Sequence, residues 1–211
     1  MSVAIDQLSL GQIGTNCYLV RADRDATEAA VVDPGDQADE ILRALERLGA
    51  TCAGSLLTHS HFDHFGALAD LADATGAPVW LPEGELAVFR RPQDFYPGFP
   101  TRAYAGDATP LAGGETVDVG GISFQVRHVP GHSPGHVSYY ADGALFSGDV
   151  LFSGSVGRVD LPFGDWDTLL ESIRSLADAY PPETVVLPGH GPATSLGEEL
   201  ARNPSLSELR A

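Results

Sequence analysis

The sequence contains no lysine, so arginine supplies all twelve basic residues, and these are outnumbered by 29 acidic residues for a formal net charge of -17. Phosphate groups are bound by clusters of cationic side chains, and an excess of negative charge repels them. The composition therefore disfavours nucleic acid and anionic membrane as partners.

Cysteine is scarce as well. The two cysteines, Cys17 and Cys52, are too few for a disulfide framework, which favours a reducing compartment. No apolar run approaches the length of a membrane span, and residues 1–6 lack the cationic and apolar segments of a signal peptide. We expect a cytoplasmic protein. No linker or composition break divides the chain, which predicts a single domain over 1–211.

Histidine is concentrated in one hexapeptide that follows the apolar run 55–58. It contains His59, His61, Asp63 and His64. If the run is a strand ending at Thr58, residues two apart project the same way, so His59 and His61 can bind one cation while Asp63 and His64 turn toward a second. Imidazole and carboxylate suit zinc, iron or manganese rather than calcium. The spacing predicts a metal site.

Three more candidate ligands follow apolar runs and stand next to glycine: His132, Asp149 and His190. Glycine lets the backbone approach a crowded centre, and the Pro-Gly pairs before His132 and His190 are turn signals. We expect each of these side chains to lie on a loop at the end of a strand.

Helical and strand patterns alternate along the chain. They predict strands at 3–10, 16–20, 29–32, 53–58 and 184–187, hairpins at 117–129 and 138–146, and helices at 36–48, 66–74, 168–179 and from Ser195 onward. This order fits two packed sheets with helices outside them.

The set of seven spaced histidines and aspartates resembles that of the metallo-β-lactamase fold superfamily over nearly the whole chain. Segments 129–136, 148–160 and 187–194 resemble its glyoxalase II group, in particular the short form. The resemblance implies an α/β (α+β) fold, an αββα sandwich of two mixed β-sheets flanked by helices.

The resemblance also implies two divalent ions, with zinc favoured and iron or manganese compatible. It puts His59, His61 and His132 on the first ion, Asp63, His64 and His190 on the second, and Asp149 between them, with Asp63 and Asp149 as the catalytic carboxylates. An aspartate at 149 argues against the lactamase branch that uses cysteine there, and so against hydrolysis of β-lactam drugs.

A divalent ion lowers the pKa of bound water to about 7, so a hydroxide bridging two ions can attack a carbonyl without a protein base. A leaving thiol of pKa about 8.5 needs little help from an acid. Together with the resemblance, this predicts hydrolysis of a small thioester such as S-lactoylglutathione. The alternative is a persulfide dioxygenase of the same superfamily, with one iron held by His59, His132 and Asp149.

Substrate contacts are less defined. Arg158 matches the family's cationic residue nine positions after the bridging aspartate, and either binds a substrate carboxylate or pairs with Asp160 or Asp165. The aromatic segment 89–104 is either a lid over the metals, through residues such as Tyr96 and Phe99, or a packing or dimer contact. Monomer and homodimer both stay open.

Four further polar residues are expected to support the site or the fold rather than to bind metal. Asp33 and Ser133 are expected to orient ligand histidines. His136 is expected to be structural because it exceeds the ligand number that the resemblance implies, and His128 because it lies on a predicted strand.

Overall fold

The computed structural model describes residues 3–210. Six strands form the first sheet in chain order, with β1–β3 antiparallel and β3–β6 parallel. They are β1 Ala4–Leu10, β2 Thr15–Arg21, β3 Glu28–Val32, β4 Thr51–Leu56, β5 Val79–Pro82 and β6 Thr109–Leu111.

The second sheet contains β7 Thr116–Val119, β8 Ile122–His128, β9 Val137–Ala141, β10 Ala144–Gly148, β13 Val185–Pro188 and β14 Thr194–Ser195. Their order is β14-β13-β10-β9-β8-β7, and β10 and β13 are its parallel pair. A short hairpin of β11 Leu151–Phe152 and β12 Ser155–Val156 extends beyond β10.

Helices cover the outer face of each sheet. They are α1 Ala38–Arg47, α2 Phe62–Phe65, α3 Leu68–Thr75, α4 Leu86–Arg90, α5 Pro92–Phe95, α6 Trp166–Ala179 and α7 Leu196–Arg202, with 3₁₀ turns at Glu83–Glu85 and Pro204–Arg210. Among residues 3–210, no helix has both the length and the apolar character needed to cross a bilayer.

The strands have two buried faces because the sheets pack on each other and on helices. In β2, Tyr18 and Val20 belong to the core between the sheets, whereas Cys17 and Leu19 pack with α1 and α3. On the second sheet, α6 packs against β10 and β13 through an apolar cluster that includes Leu169. This arrangement confirms the αββα sandwich of two mixed sheets.

The predicted elements are present, with shifted ends. Strand β4 ends at Leu56 rather than Thr58, because the N–H of Thr58 donates to the Asp33 side chain at 2.8 Å instead of continuing the ladder. Helix α6 begins at Trp166, two residues early, since Asp165 caps it by accepting from the Thr168 N–H. Ser195 caps α7 as its sequence predicts.

The topology brings distant loops together. Strand β8 is antiparallel to β9, and β9 to β10, so β8, β10 and β13 run in one direction and end at the same edge of the second sheet. The loops that leave this edge carry His132, Asp149 and His190, and the loop after β4 carries the histidine motif.

Candidate metal centre

All seven side chains predicted to bind metal converge at this edge. Their potential ligand atoms form two groups, within each of which the atoms lie within 4.8 Å of one another. The first group is His59, His61, His132 and Asp149, and the second is Asp63, His64 and His190.

The first group is a set of three imidazole nitrogens next to a carboxylate. His61 Nδ1 lies 3.0 Å from His59 Nε2 and 2.8 Å from His132 Nε2. His132 Nε2 lies 3.6 Å from Asp149 Oδ2. A single cation placed among these atoms would contact all of their lone pairs.

Asp149, a member of the first group, also lies next to the second group. His190 Nε2 lies 3.2 Å from Asp63 Oδ2 and 3.5 Å from Asp149 Oδ2. His64 Nε2 lies 3.4 Å from Asp63 Oδ2 and 3.3 Å from Asp149 Oδ1. Asp149 therefore faces His64 with one oxygen, and His132 and His190 with the other.

These distances fit divalent metal ions. Zinc bonds of about 2.1 Å in a tetrahedron separate neighbouring ligand atoms by about 3.4 Å, and the distances within the two groups are close to that value. In addition, His64 Nε2 and Asp149 Oδ1 are buried and lie 3.3 Å from each other, but neither makes a hydrogen bond of normal geometry among the described residues. Unpartnered buried polar atoms are costly unless an ion or water satisfies them.

Asp33 orients two of the histidines. Its Oδ2 accepts from His64 Nδ1 at 2.9 Å and from the Thr58 hydroxyl at 2.7 Å. Because that hydroxyl has given its proton to Asp33, it accepts from His59 Nδ1 at 3.0 Å. In both imidazoles Nδ1 is therefore the hydrogen-bond donor, and Nε2 is the atom that faces the centre and would bind a metal. The predicted role of Asp33 is confirmed.

A main-chain carbonyl orients His132. Its Nδ1 donates to the carbonyl oxygen of Arg158 at 2.8 Å, which again leaves Nε2 as the free acceptor. Ser133 was also expected to orient a ligand histidine, but its hydroxyl makes no hydrogen bond within residues 3–210. That prediction is wrong.

The Arg158 side chain points elsewhere. Its guanidinium forms a two-point ion pair with Asp160, with both N–O distances at 2.7 Å, and both side chains are exposed. This is one of the two alternatives predicted for Arg158. Its role in substrate binding remains a prediction.

The start of β2 holds the second group. The Thr15 hydroxyl donates to Asp63 Oδ2 at 2.7 Å, and the Asn16 N–H donates to the Gly189 carbonyl at 2.7 Å. Tyr18 also donates to the Pro188 carbonyl, at 2.7 Å. The sequence analysis did not predict a role for these residues. The one indication in the sequence is that two polar residues, Thr15 and Asn16, begin an otherwise apolar strand.

Gly189 allows the close approach that its sequence position predicts. A Cβ atom there would collide with Asp149 Oδ1 and with the His64 ring. Only glycine lets the loop before His190 pass so near the centre.

His136 lies nearer the centre than its predicted structural role implies. Its fully buried ring stacks on His59 with centroids 4.6 Å apart, and its Nε2 accepts from the Asp149 N–H at 3.1 Å. It belongs to neither metal group. His136 therefore supports Asp149 through its main chain.

Burial and mutual interactions set the protonation of the protein without metal. Burial, followed by nearby imidazoles, lowers the pKa of His59 far below its ordinary value and that of His61 to about 3. Burial also opposes charge on Asp63, but the hydrogen bond from His190 prevails and lowers its pKa to about 2. Burial likewise disfavours charged His64, but Asp149 and Asp33 raise its pKa above the usual range.

The metal-free protein is expected to lose stability as the pH falls below about 6.5. His59, His61, His132 and His136, whose pKa values burial lowers, resist protonation when folded but take up protons when unfolded. The free energy of unfolding should then fall by up to about 1.4 kcal/mol per pH unit for each of these imidazoles that stays neutral in the folded protein. His64 and His190 have raised pKa values, so their stabilisation is lost only as the pH rises.

Urea unfolding of chelator-treated protein at pH 7, 6 and 5 measures this slope. His136→Asn should reduce it by one proton. A flat profile over this range would contradict the assignment of neutral buried imidazoles.

Comparisons with known proteins agree with this geometry. The model of the metallo-beta-lactamase superfamily matches residues 10–190. The hydroxyacylglutathione hydrolase GloC of Haemophilus influenzae is 35% identical over 200 residues, which is 91% of this chain and 92% of that protein.

Solved structures show the same fold. The B3 metallo-beta-lactamase BLEG-1 has a TM-score of 0.88 at 40% identity, covering 97% of this chain and 100% of its own. TTHA1623 in a di-iron-bound form has a TM-score of 0.83 at 40% identity, covering 94% and 98%. ETHE1 from Myxococcus xanthus has a TM-score of 0.79 at 29% identity, covering 97% and 85%. This chain belongs to the metallo-beta-lactamase superfamily.

Proposed function

We propose that this protein is a metal-dependent hydrolase that cleaves the thioester of a small thiol carrier, with S-lactoylglutathione as the reference substrate. The observation that carries the proposal is the position of Asp149, whose carboxylate faces both groups of potential ligands. Similarity to a hydroxyacylglutathione hydrolase over almost the full length of both chains supports the thioester.

Each group would hold one divalent ion, with Asp149 between them. The donor set accepts zinc, which we favour, and also iron or manganese. Two bound ions would supply a nucleophile from water at neutral pH and polarise the substrate carbonyl.

The chain's own contribution is to position the reacting groups and to hold protons. Asp63 stays ionised at neutral pH, because the ordinary pKa of an aspartate is about 3.9. Its Oδ2 is fixed by the Thr15 hydroxyl at 2.7 Å, so it can accept a hydrogen bond from the attacking water without rearranging. A leaving thiolate needs no acid from the protein, because its conjugate acid has a pKa of about 8.5.

Aromatic side chains form a wall beside the second group. Phe99 stacks on Phe62 with ring centroids 4.1 Å apart, and Tyr96 makes an edge contact with Phe62 at a centroid distance of 5.6 Å. A cleft of about 260 Å³ lies here, lined by Phe62, Phe99, Ile13 and Asp63 among others. We propose that the substrate's apolar part contacts this wall, which corresponds to the predicted lid.

Arg158 remains our candidate for a carboxylate of the thiol carrier. To bind one it would exchange Asp160 for the substrate, and both side chains are exposed enough to do so. Exposed ion pairs are screened by water and contribute little to stability, so the exchange costs little.

Two other activities require direct comparison. Similarity to ETHE1 raises the mononuclear iron alternative, a persulfide dioxygenase. Similarity to BLEG-1 raises β-lactam hydrolysis, even though position 149 is not cysteine. The complete second group of Asp63, His64 and His190 favours a two-metal hydrolase over an oxygenase that needs one iron.

Zinc-loaded protein is expected to release thiol from S-lactoylglutathione. His190→Ala should lower kcat by more than about 100-fold, because a direct metal ligand matters at least as much as its supports. His128→Gln is the matched control, since His128 lies outside both groups and should keep full activity. Thiol release can be followed with a colorimetric reagent.

The same preparations, including an iron-loaded one, should be tested for oxygen consumption with glutathione persulfide and for turnover of a β-lactam. Oxygen uptake or β-lactam cleavage without thiol release would refute the proposed thioesterase.

Phe99→Ala is expected to raise KM about tenfold with kcat nearly unchanged, because it removes an aromatic contact worth about 1.4 kcal/mol. Phe95→Ala is the matched control: Phe95 lies on the same segment and is 44% exposed, close to the 45% of Phe99. The oligomeric state, measured by light scattering, should not change. A KM unaffected by Phe99→Ala, or a change of oligomer, would favour the packing or dimer role instead.

A further inference from the structure

One buried carboxylate outside both metal groups connects the loops that carry the first group. Glu85 ends the 3₁₀ turn that follows β5 and is 3% exposed. Its Oε2 accepts from the Ser60 N–H at 2.6 Å, and its Oε1 accepts from the Gly135 N–H at 2.9 Å.

The positions of these two donors in the chain are informative. Ser60 lies between His59 and His61, and Gly135 lies three residues after His132. Each oxygen of one carboxylate therefore fixes one of the two loops that supply the three imidazoles of the first group.

The Ser60 peptide is held from its other side as well. Its carbonyl accepts from the Tyr96 hydroxyl at 3.1 Å, so both polar groups of this residue have a side-chain partner. The contact with the second loop is close, since a Cβ atom on Gly135 would lie 2.7 Å from Glu85 Cγ. Neither loop can shift without disturbing Glu85.

A buried carboxylate is costly unless its oxygens are satisfied. Within residues 3–210, Glu85 forms no ion pair with a cationic side chain. The two N–H groups therefore offset the cost of burying its charge, together with the positive charge expected of a metal ion in the adjacent group. Glutamine has the same shape but offers one acceptor, and its NH₂ would face a second N–H donor. The site needs two acceptors.

We propose that Glu85 is a positioning residue for the first metal group: by binding the main chain of both loops, it holds His59, His61 and His132 at the separation that one cation requires. This inference rests on the metal centre of the proposed function. Among the described residues, Glu85 makes no hydrogen bond to Thr15 or Asn16, which support the second group, so we expect its main effect on the first.

The test separates the two groups. His190→Ala leaves the first group intact, and His61→Ala leaves the second intact. Titration of each variant with Co²⁺, followed by visible absorption and chelator competition, gives the affinity of the remaining group without any substrate. Adding Glu85→Gln should weaken Co²⁺ binding about 10- to 100-fold in the His190→Ala protein. It should change binding less than twofold in the His61→Ala protein.

Glu199→Gln is the matched control. Glu199 is also 3% exposed, and it accepts from the Gly154 N–H, the Thr194 hydroxyl and the Asn203 amide, none of which belongs to a metal group. It should leave Co²⁺ affinity unchanged in both backgrounds. Circular dichroism and melting curves check that every variant folds.

If Glu85→Gln does not fold, Tyr96→Phe tests the same clamp from the other side of Ser60, and a few-fold weakening confined to the first group is expected. An equal loss of Co²⁺ affinity in both backgrounds, or no loss of Co²⁺ affinity in the His190→Ala protein, would overturn the role of Glu85. Failure of both parent variants to bind Co²⁺ would overturn the metal centre itself. Absence of thioesterase activity with normal Co²⁺ binding would affect only the proposed substrate.

Discussion

Buried imidazoles and carboxylates meet at one end of this sandwich, and the space between them needs a cation. Buried polar atoms without a good hydrogen bond are costly, and His64 Nε2 and Asp149 Oδ1, which lie 3.3 Å apart, make none of normal geometry among the described residues. In the first group, His61 Nδ1 lies within 3.0 Å of a nitrogen of His59 and of a nitrogen of His132. A bound ion would replace these contacts with ligand bonds and would thereby stabilise the fold.

The supports around the centre are divided between its two halves. Asp33 serves both, because it orients His59 through Thr58 and His64 directly. It does so from a left-handed backbone conformation with φ of 51°, which is uncommon outside glycine but tolerated by aspartate. Beyond Asp33 the supports separate: Glu85 contacts the loops of the first group. The residues at the start of β2 contact those of the second. The two halves share Asp149 and the segment after β4, which carries ligands of both groups, but their other supports differ.

Much of the fold and the identities of the candidate ligands could be predicted from the sequence. Hydrophobic periodicity and turn residues indicate the strands and long helices, and glycine beside His132, Asp149 and His190 marks loops that approach a crowded point. Histidine and aspartate at those spacings indicate a metal site specifically, because the packing of a core does not require them. The end of β4 was misplaced because Thr58 follows the apolar run yet bonds to Asp33, a contact that local sequence does not show.

The supports were harder to predict because their roles depend on residues far away in the chain. Glu85 acts on partners 25 and 50 residues distant, and nothing around it distinguishes it from a surface glutamate. His136 repeats the Pro-Gly-His pattern of His132, so only the three-dimensional arrangement shows that one faces the metal groups and the other faces the Asp149 main chain. Arg158 has a carbonyl near the centre and a side chain directed away from it.

Anomalous X-ray diffraction from crystals grown with zinc tests the central claim most directly. The account predicts two zinc peaks about 3.5–4 Å apart, one among His59, His61 and His132 and the other among Asp63, His64 and His190, with Asp149 contacting both. One peak alone, or two peaks that Asp149 does not bridge, would contradict it.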